Sequence, residues 1–293
     1  MPDKSTHPSS TAGDGKVAVV TGGTGGIGKK IVRGLLRRNM TVIIGVRSLE
    51  KGEALRAELA DDPAGGRIEV LPLNVASMQS VRAFAAAIAQ THPTLHLLIN
   101  NAGAWFNERG ETGEGHELTL ATNVAGPYLL ARLLLPRLRA AGAARIVNIV
   151  SSAVGDYDVS DLEWTKRRYD GFRAYRQSKQ ALLMVTSRLA QQLAGSGVVV
   201  NAASPGFVKT AFLKDAKGFV ATALRLISFL AVSPEKGAET PLWVALAPEL
   251  NNVSGKLFEG RKQKVARLPA QAALDDLEKA LDRMTGSGWN TAP

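Results

Sequence analysis

The sequence predicts an α/β fold, in which a doubly wound, seven-stranded parallel sheet carries helices on both faces of a single domain. From Lys16 onward, short runs rich in Val and Ile alternate with longer stretches of helical period, a pattern typical of repeated strand–helix–strand units. An amphipathic stretch follows each of the first six strand candidates, so both sheet faces would be covered. No internal repeat or linker marks a second domain.

The candidate strands are the runs at 17–20, 41–45, 67–72, 95–100, 145–150 and 198–203, with a weaker seventh at 255–258. After the third strand, Ser77 is predicted to cap a helix whose apolar residues repeat at i, i+3, i+4 and i+7: Val81, Phe84, Ala85 and Ile88. A last helix is predicted over 271–284, because Leu274, Leu277 and Leu281 recur at helical spacing.

These elements predict three regions along the chain. Residues 1–15 are rich in Ser, Thr, Pro and Gly and are expected to be a disordered tail. Residues 16–262 form the predicted dinucleotide-binding and catalytic domain, and residues 263–293 the C-terminal helix and tail.

Composition limits the functions that the chain can have. It contains no Cys and four scattered His, so we expect neither a cysteine nucleophile nor a metal centre. The formal net charge is +10, but the basic residues are dispersed, so we expect no nucleic-acid partner. Apolar stretches end after about nine residues, short of the roughly 20 that span a membrane. We therefore expect a soluble, cytoplasmic protein.

A glycine-rich turn, "TGGTGGIGKK", follows the first strand and opens a helix. Gly22, Gly26 and Gly28 permit positive φ and let a pyrophosphate approach backbone N–H groups at the helix N-terminus. A flexible glycine loop is the alternative, but it would need neither the strand nor the helix beside it. The turn favours a Rossmann-type dinucleotide site.

The end of the second strand bears on the choice of dinucleotide. An acidic side chain there binds the ribose 2′-hydroxyl of NAD(H), whereas an Arg accommodates the 2′-phosphate of NADP(H). This chain has Arg47 and Ser48 there, with no acid until Glu50. The pattern favours NADP(H) over NAD(H), although Arg47 also fits a solvated surface position.

A candidate acid/base pair lies in "AYRQSK", where Tyr175 and Lys179 are one helical turn apart. A phenol of ordinary pKa is too weak a base at neutral pH. A cation at ~5 Å and an effective dielectric of ~20 would stabilise the phenolate by roughly 3 kcal/mol, or about two pKa units. The pair could therefore move the proton that accompanies hydride transfer.

Together these motifs resemble the short-chain dehydrogenase/reductase family over about residues 16–262. The matches are "TGGTGGIG", "NNAG" (100–103), "TNVAG", "SSAVG", "YRQSK" and "SPGFVKT" (204–210). The long interval between "SSAVG" and "YRQSK", with "SLEKGE", "DLEW" and "VSGKLF", makes the retinol-dehydrogenase-like branch the nearest resemblance.

The resemblance implies a catalytic set of Ser152, Tyr175, Lys179 and Asn123. Ser152 would bond the substrate oxygen, Lys179 the nicotinamide ribose, and Asn123 a water leading to solvent. Each residue alone also fits a structural role, but their joint order favours catalysis. The implied cofactor contacts are Thr21, Gly22, Thr24, Gly26, Ile27, Gly28, Arg47, Asn74, Val75, Asn101, Ala102, Gly103, Tyr175, Lys179, Pro205, Gly206, Val208 and Thr210.

Two features depart from the family pattern. Asn74 stands where an Asp usually touches the adenine, and an amide can still bond there. No apolar N-terminal anchor like that of membrane-bound retinoid enzymes is expected, so neither their location nor their substrate is carried over.

The substrate is expected to be a bulky apolar carbonyl or secondary alcohol. Residues 153–174 would line its site through Tyr157, Trp164 and Tyr169, and residues 207–233 through Phe219, Leu224, Ile227, Phe229 and Leu230. The second group also fits a core or dimer contact. Reduction of a C=C bond and a non-catalytic NADP(H)-binding regulatory module remain alternatives, and a homodimer through the helices of Asn123 and Tyr175 is possible.

Overall fold

The computed structural model describes residues 15–60, 65–155, 157–206 and 232–287. Its sheet has the order β3-β2-β1-β4-β5-β6-β7-β8, and every neighbouring pair is parallel except β7 and β8. The strands are β1 (Val17–Thr21), β2 (Thr41–Val46), β3 (Arg67–Pro72), β4 (Leu97–Asn100), β5 (Ala144–Ile149), β6 (Val198–Ser204), β7 (Leu257–Glu259) and β8 (Lys262–Lys264).

The helices cover both faces of this sheet, as predicted. They are α1 (Gly26–Leu36), α2 (Leu49–Glu58), α3 (Met78–Thr91), α4 (Leu118–Ala140), α5 (Gly171–Gln192), α6 (Pro234–Leu246) and α7 (Gln271–Thr285). One core layer lies between the sheet and α3, α4, α5 and α7, and a second lies between the sheet and α1, α2 and α6. The doubly wound fold class is therefore confirmed.

The strand count is the main difference from the prediction. All seven candidate strands are present within two residues of their predicted bounds. The eighth, β8, was missed because its sequence, "KQK", is exposed throughout and offers no apolar alternation. It adds to β7 in the antiparallel sense, so the sheet is mixed at this edge. The predicted boundary at 262/263 falls inside this strand.

Two predicted helices form as their sequence patterns indicate. Ser77 caps α3 by accepting a hydrogen bond from the Ser80 N–H (3.3 Å), and the four apolar residues chosen for this helix are buried. In α7, Leu274, Leu277 and Leu281 are buried in the same core layer as α4 and α5. Polar contacts also hold α7 in place: Tyr128 of α4 donates to Asp282 (2.7 Å), and Arg188 of α5 donates to Glu278 (2.7 Å).

Helix α4 is long and apolar enough to cross a membrane by length and composition alone. Its most apolar window is 78% buried inside the protein, which is the position of a core helix. It packs closely on the loop after β3: a Cβ placed on Gly126 would lie 2.0 Å from the Val75 carbonyl oxygen.

We predict that Gly126→Ala destabilises the protein by about 3 kcal/mol, because the Val75 carbonyl group blocks the added methyl group. Gly113→Ala is the matched control, since a Cβ there meets nothing within 4 Å, and its effect should stay below about 1 kcal/mol. Urea unfolding of both variants measures the difference. Equal stability of the two variants would contradict this packing.

Candidate active site

The candidate site lies at the carboxyl ends of the strands, where β1 has β2 on one side and β4 on the other. The chain changes direction across the sheet at this point, and parallel sheets open a crevice there. Thr21, at the end of β1, accepts hydrogen bonds from the backbone N–H groups of Asn101 (3.1 Å) and Ala102 (3.0 Å). The Asn101 amide donates in return to the carbonyls of Thr21 and Gly22, both at 3.0 Å.

The glycine turn lies next to the hydrogen bonds that join the ends of β1 and β4. Gly22 and Gly26 adopt φ values of +67° and +50°, which favour glycine. A Cβ on Gly28 would lie 2.2 Å from the Gly22 oxygen, so this residue must lack a side chain for the turn to close. Thr24 and Ile27 are half-buried along the turn.

Gly25 leaves the beginning of α1 open. It is the N-cap residue, makes no side-chain cap, and has nothing within 4 Å of a Cβ built on it. The first turn of the helix thus has no side-chain cap from Gly25, and its N–H groups fit the pyrophosphate of a dinucleotide. Sequence reasoning did not select Gly25, although its place just before the first helical residue was a usable signal.

The ends of β2 and β3 lie side by side beyond this turn. Arg47 is exposed directly after β2, while Ser48 caps α2 by accepting from the Lys51 N–H (3.3 Å). Asn74 is exposed after β3, and its side-chain oxygen accepts from the Ala76 N–H (3.2 Å). Val75 is buried instead, with its carbonyl against Gly126.

Asn123 is fully buried in a π-helical turn of α4 (Ala121–Ala125). Its oxygen accepts from the Ala104 N–H (2.8 Å), and its amide nitrogen donates to the Ala104 oxygen and to the Ser178 hydroxyl, each at 2.8 Å. Both amide hydrogens are thus used in joining the loop after β4 to α5. A π-turn inside an α-helix often marks a functional site.

Tyr175 and Lys179 lie on the same face of α5, with the Lys179 ammonium 5.8 Å from the centre of the Tyr175 ring. The ammonium is buried and donates to the Ile149 carbonyl (3.0 Å). A Cβ on Gly103 would approach it to 3.2 Å, so the "NNAG" segment also borders this position. Burial lowers the pKa of Lys179 to about 8.

The expected lowering of the Tyr175 pKa is not what the structure gives. Burial raises the pKa of the phenol, and a hydrogen bond with the Ser151 side chain opposes this rise only in part. The prediction considered the cation and omitted desolvation, which penalises the phenolate. In the protein without cofactor, the phenol is therefore a proton donor rather than a base at neutral pH.

The serine whose side chain bonds Tyr175 is Ser151, the neighbour of the predicted catalytic Ser152. Ser151 is half-buried, bonds with Tyr175 and also accepts from the Ala153 N–H (3.0 Å), whereas Ser152 is exposed. Both serines follow β5, and the direction of each side chain depends on how the chain turns there. The sequence carries no signal that distinguishes them.

Two aromatic side chains that sequence reasoning missed lie near the phenol: Trp105 beside Tyr175, and Phe172 against Trp105. The Trp105 ring stacks near Tyr175, with centroids 6.2 Å apart and planes at 26°, and it lies 5.5 Å from Phe172. Trp105 follows "NNAG" by two residues, and Phe172 is three residues before Tyr175. Their positions next to two recognised motifs were the available signal.

The three aromatic residues predicted to face the substrate have structural partners instead. Trp164 is 3% exposed, with the Arg167 guanidinium 3.8 Å above its ring. Tyr169 bonds with Thr119 (3.0 Å) and donates to Glu117 (3.2 Å). Tyr157 points to α7 and donates to the Ala273 carbonyl at 3.5 Å. The pattern of aromatic residues did not reveal which ones the fold buries.

The segment after β6 is described only at its beginning. Pro205 and Gly206 are half-buried, and Gly206 adopts φ +74° with its N–H donating to the Ser204 hydroxyl (3.3 Å). The remaining predicted contacts lie outside the described residues: Val208, Thr210, Phe219, Leu224, Ile227, Phe229 and Leu230. Within the described part, no three His, Cys, Asp or Glu side chains form a metal-binding group.

Known proteins resemble this chain over most of its length. A family model described as short chain dehydrogenase matches residues 16–218. Human "Retinol dehydrogenase 13" is 38% identical over 94% of this chain and 82% of that protein. "Polyprenol dehydrogenase" of Mus musculus is 37% identical over 94% of this chain and 85% of that protein.

Solved structures share the fold. A Mycobacterium paratuberculosis protein superimposes with a TM-score of 0.76 at 30% identity, covering 95% of this chain and 96% of the other. The "Pseudomonas aeruginosa RhlG/NADP active-site complex" gives a TM-score of 0.67 at 27% identity, covering 87% and 98%.

We predict that Gly25→Ala leaves folding intact but weakens NADPH binding roughly tenfold, because the methyl group occupies the open position at the beginning of α1. Gly28→Ala should instead lower the melting temperature, since its Cβ meets backbone. Fluorescence titration and thermal unfolding separate the two effects. Unchanged NADPH affinity in a folded Gly25→Ala protein would place the pyrophosphate elsewhere.

Proposed function

The chain belongs to the short-chain dehydrogenase/reductase family, in its retinol-dehydrogenase-like branch, and from this premise we propose an NADP(H)-dependent oxidoreductase acting on a bulky apolar carbonyl or secondary alcohol. The observation that carries the proposal is the placement of the Tyr175 phenol. It lies between the Lys179 ammonium and the Ser151 hydroxyl, at the crevice that the glycine turn borders.

A bound nicotinamide supplies or accepts the hydride. Tyr175 supplies the proton, because its raised pKa keeps the phenol protonated at neutral pH. It can then donate to the oxyanion that forms as a carbonyl is reduced. Ser151 is placed to stabilise the same developing charge by hydrogen bonding.

Lys179 contributes the positive charge of the site. With a pKa of about 8 it is mostly protonated at pH 7, and it lies within the range where a cation stabilises negative charge on the phenol. Bonding the nicotinamide ribose is its second proposed duty, taken from the family resemblance. Asn123 holds the loop after β4 against α5 and so positions Lys179.

The proposed preference for NADP(H) over NAD(H) rests on the end of β2. Arg47 is exposed there, and the sequence has no acid before Glu50 to bond a free 2′-hydroxyl. The similar Pseudomonas aeruginosa structure is a complex with NADP, which supports the same cofactor.

The proposed substrate class rests on Trp105 and Phe172, which place aromatic surface beside the phenol. Flat or extended apolar molecules would bury against such a surface. The relatives' names include retinol and polyprenol, both large apolar alcohols, which supports this class.

The test of the function is NADPH oxidation with a panel of aromatic and long-chain ketones and enones. We expect carbonyl reduction by the wild-type protein, and Tyr175→Phe should lower kcat by roughly a thousandfold with NADPH affinity nearly unchanged. Reduction of the C=C bond, seen by product analysis, would support the alternative reaction. NADPH binding without any turnover would support a regulatory module.

The two adjacent serines provide a matched pair of variants. Ser151→Ala should lower kcat by roughly a hundredfold, because Ser151 bonds the phenol, while Ser152→Ala should have less than about a threefold effect. The reverse order would restore Ser152 as the catalytic serine. Both variants are compared at saturating NADPH.

We predict that Arg47→Ala raises the Kd for NADPH roughly tenfold and leaves that for NADH unchanged, because Arg47 would pair with the 2′-phosphate. Lys51→Ala removes a nearby exposed charge and serves as the control. Calorimetric titration measures the Kd of each variant for NADPH and for NADH. A loss shared equally by NADPH and NADH would contradict the assignment.

A further inference from the structure

A cavity of about 760 Å³ opens at the amino ends of the strands, at the opposite end of the sheet from Tyr175. Residues that precede or begin four strands line it: Lys16 before β1, His96 before β4, Ala144 in β5 and Val198 in β6. The C-terminal ends of α5 and α6 complete its wall. Its volume is in the range of small-molecule sites, roughly 300–1,000 Å³.

Two cations, Lys16 and Arg38, line one end of this cavity. Both side chains are exposed, and the backbone brings their segments together, since Thr41, the first residue of β2, donates its N–H to the Lys16 carbonyl (2.9 Å). Neither side chain has a hydrogen bond or ion pair to any other residue that the structure describes. The cavity wall includes no Asp or Glu among those residues.

His96 adds a polar group to the same end. Its Nδ1 accepts the Val17 N–H (3.2 Å), so the proton of the neutral ring is on Nε2, which remains a donor. Burial and the charge of Lys16 lower the pKa of His96. The positive field of Lys16 therefore extends to the cavity wall.

Arg145 also lines the cavity, but its guanidinium N–H groups already donate to other protein groups. Its guanidinium donates to the carbonyls of Val244 (2.8 Å) and Ala247 (2.6 Å) and to the Asn251 side chain (2.6 Å). These contacts satisfy backbone carbonyl groups at the C-terminal end of α6, as basic side chains near helix ends commonly do. An anion would therefore be drawn to Lys16 and Arg38 instead.

The rest of the cavity is lined by apolar side chains together with the polar ones of Asn251, Asn252 and Ser254. Its wall runs away from the charged end along Leu97, Ala144, Val198, Leu246 and Pro248. A small inorganic anion would leave this surface and most of the volume unfilled. An apolar body attached to an anionic head would cover both parts.

We propose that this cavity binds an amphipathic organic anion, with its head group at Lys16 and Arg38 and its apolar chain along the wall formed by β4, β5 and β6. The site is separate from the catalytic crevice and does not depend on the proposed reaction. A carboxylate on a medium-length hydrocarbon chain has the required chemistry.

Sodium laurate is the probe, titrated calorimetrically into the full chain saturated with NADPH. Replacing both cations (Lys16→Ser with Arg38→Ser) should raise the laurate Kd about tenfold, while the control pair Arg37→Ser and Lys51→Ser, which removes equal charge outside the cavity, should shift it by less than about twofold. Reductase activity should be unchanged in both proteins.

A second variant tests the cavity without changing charge. Ala194 is exposed and lines the cavity, so Ala194→Trp should fill it and abolish laurate binding at an unchanged melting temperature. Uncharged methyl laurate should bind the wild type more weakly than laurate and respond little to loss of the two cations. Laurate binding that survives Ala194→Trp, or that both charge pairs weaken equally, overturns the proposal.

Discussion

A buried ammonium group constrains the rest of this structure. Lys179 is 4% exposed, and burial lowers its pKa to about 8. Removing a charge from water without a counter-ion is costly, so the surroundings must supply oriented dipoles in return. The carbonyl of Ile149, at the end of β5, provides one of them. The ends of the central strands therefore have to meet α5 in a fixed position.

Several local features serve this requirement. The Thr21–Asn101 bonds hold the ends of β1 and β4 together, and the bonds of Asn123 hold the next segment against α5. Gly103 lies so close to the ammonium that a side chain there would crowd it. The glycine turn and the Tyr175–Lys179 pair are thus connected through one set of hydrogen bonds, so a displacement of one would displace the other.

The sequence predicts what depends on periodicity and on backbone chemistry. The alternation of apolar runs, the glycine turn and the spacing of Leu274, Leu277 and Leu281 each reflect a constraint that acts over a few residues. Features set by distant parts of the chain were not predictable in this way. Ser151 and Ser152 differ only in how the chain turns after β5, and the direction of the Tyr175 pKa shift depends on burial by several elements. The short edge strand β8 forms because β7 provides a partner, not because of its own residues.

Helix α7 packs against α4 and α5, the helices that carry Asn123 and Tyr175. Its leucines fill the outer groove of α4 and α5, and Asp282 and Glu278 fasten it to Tyr128 and Arg188. The chain thereby supplies from its own C-terminal region the apolar cover that a second copy would otherwise provide. Self-association through the covered faces of these two helices would require α7 to detach first, so the chain itself competes with any partner for that surface.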